Sequence, residues 1–130
     1  MLSRADRAED PQWISYLDEA YVAAIAGHCF RTLGRGHQAA RFARESLDMR
    51  PGYVRGRLFN TVLLAGAHIL ERKIDEACVV GHQALDLASK LSSARATVQI
   101  DALVRDLQPW RSHGAVRGLS ERAALVAGQS

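Results

Sequence analysis

The chain is poor in the residues that usually announce chemistry or compartment. It has two cysteines, three prolines, two tryptophans, three tyrosines and three phenylalanines in 130 residues, and aromatic residues make up 6%. Lysine is nearly absent: Lys73 and Lys90 stand beside fifteen arginines. Two widely spaced cysteines, Cys29 and Cys78, make no disulfide framework. Both fall in apolar helical patterns, where a thiol packs as a small hydrophobe and stays reduced in the cytoplasm. No apolar run approaches the ~18 residues of a membrane span. The first twenty residues carry seven charges and Pro11, so they do not read as a signal peptide. β-Branched residues never gather into an alternating run, which argues against strands. Missing too are the nucleophile-elbow motif G-x-S-x-G and a phosphate-binding G-x-x-x-x-G-K-[ST].

What remains is alanine, leucine and arginine with helical spacing. The hydrophobic share is 48% and the charged share 24%, ordinary for one globular domain. Formal charge is only +3 but unevenly placed. Residues 28–57 hold Arg31, Arg35, Arg41, Arg44, Arg50, Arg55 and Arg57 against Glu45 and Asp48. Such a segment suits an anionic partner or a solvated face whose arginine stems cover apolar surface. It lacks a recognition-helix pattern with interleaved aromatics, so direct nucleic-acid binding is not expected.

MLSRADRAED, residues 1–10, is charged and aperiodic and reads as a flexible leader. A helical domain is predicted over 11–127, entered at Asp10-Pro11 as N-cap and first helical residue. Val22, Ile25, Ala26, Cys29, Phe30 and Leu33 recur at i, i+3, i+4, i+7, i+8 and i+11, one face of a helix that Gly34 ends. Further helices are expected at about 37–49, stopped by Pro51-Gly52, and at 54–71, with Leu58/Val62/Ala65/Ile69 and Phe59/Leu63/Gly66/Leu70 as two apolar stripes. A fourth begins near Asp75, a fifth spans 93–108 behind Ser92 or Ser93 and ahead of Pro109, and a sixth covers 114–127. The fold class is therefore all-α, about six helices paired as antiparallel hairpins.

The stretch GRGHQAA (34–40) has the glycines of a dinucleotide fingerprint. That fingerprint needs a strand before it to aim a helix N-terminus at pyrophosphate. Here a helix precedes it, so it is a turn, and no cofactor is expected. His28 and Cys29, adjacent on a helix, point about 100° apart and make a poor catalytic pair. Cys78 and His82, at i and i+4, share a face, but a stable zinc site wants about four ligands. Neither metal binding nor catalysis is expected.

AGHCFRTLGRGHQAARFARESLDMRP and AGAHILERKIDEACVVGHQALDLAS match when Ala39 is set on Ala77, a shift of 38 residues. Gly27, Phe30, Gly34, Ala39, Leu47 and Pro51 then stand at the places where the tetratricopeptide repeat has its small, aromatic and turn residues. The pair of units resembles that family. Ala43 and Ser46 depart from it, as do Arg72 at the turn glycine and Ser89 at the closing proline. DPQWISYLDEAYVAAIAGHCFRTLGRGHQAARFARESL, YVRGRLFNTVLLAGAHI and LVRDLQPWRSHGAVRGLSER further resemble the C-terminal region of actinomycete helix-turn-helix transcription regulators, over about residues 11–122. The resemblance implies a short right-handed superhelix of stacked hairpins whose first helices line a concave groove. It also implies a regulatory module, either cut from a regulator or a stand-alone relative without the DNA-binding half. In that register Tyr21, Ala24, Ile25, His28 and Arg31 of the first unit and Phe59, Val62, Leu63, Gly66 and Leu70 of the second face the groove. A protein or peptide partner suits such a surface, as does a homodimer; a small-molecule signal or an accessory role in biosynthesis is the alternative.

Overall fold

The computed structural model describes residues 12–47, 54–91 and 93–128, all of them helix or short connection. Among the described residues six α-helices follow in order: α1 (Gln12–Thr32), α2 (Gly36–Ser46), α3 (Val54–Leu70), α4 (Ile74–Ala88), α5 (Ala94–Asp106) and α6 (Gly114–Gly128). A short 3₁₀ turn, Gln108–Trp110, separates the last two and accommodates Pro109. Asp10-Pro11 and Pro51-Gly52 lie outside the described residues. The predicted helices 37–49 and 93–108 are trimmed to Gly36–Ser46 and Ala94–Asp106, and Ser93 caps the latter by accepting the N–H of Arg95 at 3.1 Å.

Short turns fold the chain into hairpins α1–α2, α3–α4 and α5–α6, stacked in two layers. Helix α3 is the hub, touching α1, α2, α4 and α5, while α6 lies on α4. The first two hairpins share one turn. Gly34 (φ 77°) and Arg72 (φ 63°) are both left-handed. Arg35 N–H donates to Phe30 O at 2.8 Å and Lys73 N–H to His68 O at 2.9 Å, the paired bonds of a Schellman C-cap. Arg72 tolerates the glycine-type backbone while its guanidinium lies 5.4 Å from the Trp110 ring centre.

The core is made by small residues that let helices approach. Ala39, Ala43, Ala77 and Ala84 are wholly buried, with Leu58, Leu63, Leu85, Leu103 and Leu119 filling the space between helices. A β-carbon on Gly27 would lie 3.0 Å from Leu63 Cδ2, and one on Gly81 only 2.7 Å from Leu119 Cδ2. Those contacts set the spacing of successive hairpins. The end of α2 is closed by α3: Asn60 Nδ2 donates to Ser46 O at 3.2 Å and Arg57 Nη1 to Leu47 O at 3.0 Å, satisfying carbonyls the helix cannot. Arg122 holds α6 on α4 through His82 and Asp86.

The stripe Val22, Ile25, Ala26, Cys29, Phe30 and Leu33 divides: Phe30 packs against the core and Ala26 is half-buried, but Val22 is 62% exposed, Ile25 48% and Leu33 69%, and Cys29 is exposed. The inward side of α1 is instead Ala23, Ala24 and Gly27. Periodicity found the stripe, but only packing decides which side of a helix finds a neighbour.

Candidate binding groove

Helices α1, α3 and α5 lie side by side, and the side chains that meet across them form the candidate site. His28 on α1 and Phe59 on α3 touch edge to face, with ring centres 5.3 Å apart at 90°. Tyr21, 38 residues before Phe59 and so at the equivalent place, is 66% exposed; Phe59 itself is 37% exposed. Leu70 is also open to solvent near the end of α3.

Arg31 does more than add charge. Its Nη2 donates to Asp106 Oδ2 on α5 at 2.7 Å, 75 residues along the chain. To reach that far it crosses α3 at Gly66, where any β-carbon would sit 2.8 Å from Arg31 Nε. Gly66 is therefore the floor on which the guanidinium lies. The pair is partly exposed, so its contribution to stability is on the order of 1 kcal/mol or less. Its significance is positional: one cation and one carboxylate are held together across α3, the cation one helical turn beyond His28 on α1.

The eight groove residues expected from the sequence do not share one surface. Tyr21, His28, Phe59 and Leu70 are accessible, and Arg31 is accessible but paired. Val62 and Leu63 are corrected to core residues, 8% and 2% exposed. Both belong to α3, which is covered by neighbours on most of its circumference, so little of its apolar surface reaches solvent. Ile25 is 48% exposed but lies at the position equivalent to Leu63, whose side chain points back at Gly27 of the preceding hairpin. It therefore faces the outer edge of α1 and not the groove. Asp106 and the role of Gly66 escaped the sequence reading. The spacing from α3 to α5 is 40 residues, against 38 from α2 to α4, so a uniform shift sets Asp106 opposite the wrong partner.

The groups with chemical potential elsewhere are committed to packing. Cys78 is 3% exposed, and burial, with help from the Asp75 carboxylate, pushes its thiol above the usual range. His82 Nδ1 is 3.0 Å from Arg122 Nη1, so the Cys78/His82 face points at a cation. Among the described residues no group of three His, Cys, Asp or Glu side chains converges as metal ligands, and no helix is long and apolar enough to cross a membrane. A separate open hollow of about 190 Å³ lies between the end of α4, α5 and α6, with Leu91, Ile100 and Ala123 in its wall and Thr97 and Asp101 among its polar lining.

The chain matches no family model, no curated protein and no solved structure.

Proposed function

We propose that the chain is a non-enzymatic helical-repeat module that binds a protein or peptide partner along the face of α1, α3 and α5. One observation carries this reading: the helices that bear two exposed aromatic rings, Tyr21 and Phe59, also hold a guanidinium in place over Gly66. Apolar rungs beside a fixed cation suit an amphipathic segment bearing a carboxylate, which would compete with Asp106 for Arg31. Several of the clustered arginines work inside the fold, since Arg31 meets Asp106, Arg41 lies 3.8 Å from Glu45 and Arg57 closes α2. That favours a peptide over a nucleic-acid backbone. A regulatory role in transcription follows from the resemblance of the chain to regulator C-terminal regions, and a cytoplasmic setting goes with it.

The test is a binding screen against an array of acidic and basic amphipathic peptides, followed by fluorescence anisotropy. Acidic peptides are expected to bind, with Phe59→Ala and Arg31→Ala each weakening the complex at least about tenfold, in line with loss of a central anchor. Binding that ignores both substitutions overturns the reading. The hollow between α5 and α6 supports a second reading, a small apolar signal ligand. Native mass spectrometry of freshly purified protein separates the two, because a retained ligand favours sensing.

A further inference from the structure

The third hairpin is not filled evenly along its length. Near its turn Leu103, Leu107, Val116 and Leu119 are buried in the core, and Leu119 and Leu103 close over Gly81 of α4. Towards its open end the three helices present alanines instead: Ala88 on α4, Ala96 on α5 and Ala123 on α6, each buried. No large side chain fills the space between them, and the hollow of about 190 Å³ lies there. That is on the scale of a cavity of ~150 Å³ that holds one benzene ring. One wall is polar. Ser93, Thr97 and Asp101 stand four apart along α5 and share a face. Ser93 Oγ is used as the cap of α5, accepting the N–H of Arg95. The Thr97 hydroxyl and the Asp101 carboxylate have no hydrogen-bond or ion-pair partner among the described residues, and Arg105, one turn further on, does not pair with Asp101.

Resting on the reading of this hollow as a ligand site, we infer that its occupant is a small organic ammonium. A single ring or a short alkyl chain lies against the alanines, and the ammonium donates to Asp101 and Thr97. Charge selects this class. Asp101 is the one ionisable side chain in the lining, and no arginine, lysine or histidine stands there in a chain with fifteen arginines. A carboxylate or phosphate ligand would meet a like charge with no cation to offset it. A wholly apolar ligand would gain nothing from the carboxylate. The three donors of an ammonium match two carboxylate oxygens and one hydroxyl, all of which accept. Asp101 is exposed, so the pair stays partly hydrated and gives a several-fold preference, not an absolute one. For so small a ligand a dissociation constant roughly in the millimolar range is expected.

Titration of the full chain with hexylammonium, hexanol and hexanoate, followed by amide NMR shifts, tests this. Shifts are expected at Ala96, Thr97, Asp101 and Ala123. Hexylammonium should bind several-fold more tightly than hexanol, and hexanoate most weakly. Asp101→Asn, a change at an exposed position, should bring hexylammonium down to the level of hexanol and leave hexanol unchanged. Ala96→Leu should fill the hollow and exclude all three ligands; the Asp101→Asn comparison decides the matter even where that variant does not fold. No shift at the hollow with any of the three overturns the proposal together with the reading it rests on. Hexanol bound there as tightly as hexylammonium, or hexylammonium bound equally well by Asp101→Asn, overturns the proposal and leaves that reading standing. Phe59→Ala is expected to change none of the three affinities, so failure here is distinguishable from failure of the groove.

Discussion

Helices α1 and α3 are written in the same register and live in different surroundings. Leu63 inserts against Gly27 and is 2% exposed, while its counterpart Ile25 is 48% exposed. Asn60 closes the end of α2, and its counterpart Val22 touches solvent. In a stacked array a residue's environment is set by the neighbouring unit as much as by its own, so identical positions have different energetic weight at an end and in the middle.

The sharpest break in the equivalence is a truncation at both places. Leu63→Ala is expected to cost about 2–5 kcal/mol, as for a buried leucine leaving a cavity. Ile25→Ala is expected to change stability by about 0.5 kcal/mol or less, as at an exposed site. Urea unfolding followed by circular dichroism reads both; equal costs would mean that the two helices are packed alike. Next comes the hairpin spacing. A β-carbon on Gly36 would stand 2.7 Å from Glu71 Cγ and 3.0 Å from Ala67 O, a backbone atom that cannot step aside. Gly36→Ala should therefore destabilise by about 1–3 kcal/mol in the same measurement.

A third contrast is Phe30 against His68. Phe30 stacks on Phe42 with ring centres 5.5 Å apart, whereas His68 is 7% exposed with Nδ1 lacking a hydrogen-bond partner. Burial holds its pKa below the ordinary 6.5; Arg44 and Lys73 push the same way, and Glu71 and Glu76 oppose them. The folded state thus binds fewer protons than the unfolded one, so stability falls as pH drops below about 6.5. His68→Phe is expected to stabilise by about 1–3 kcal/mol by removing the unsatisfied buried nitrogen. It should also flatten that pH dependence, which unfolding curves at pH 7 and pH 5 would reveal.

The smallest contrast is the turn. Gly34→Ala should cost about 1 kcal/mol at a left-handed residue. Arg72→Gly should shift the unfolding midpoint little, because relief of the backbone offsets the lost contact with Trp110.

Helix borders were legible because glycine, proline and serine have steric and hydrogen-bonding reasons to stand there: Gly34 ends α1, Ser93 opens α5 and Pro109 stops it. The equivalence of Ala39 and Ala77 was legible as well, and both are wholly buried. What could not be read was which apolar face meets a neighbour. Val62 and Leu63 look like groove residues until α3 proves to be enclosed, and Cys29 looks internal until α1 proves to be an edge. The Arg31–Asp106 pair was hidden for another reason. Ion pairing across three helices depends on the change in repeat length and on the missing side chain at Gly66, neither of which is a pattern in local sequence.

Stacks of hairpins flex like springs, because each unit holds only the next. Here the Arg31–Asp106 ion pair skips a coil and joins the first to the third. Dissolved ions weaken the hold of those two charges. The tie between the first and third hairpins is therefore expected to loosen as the ionic strength rises.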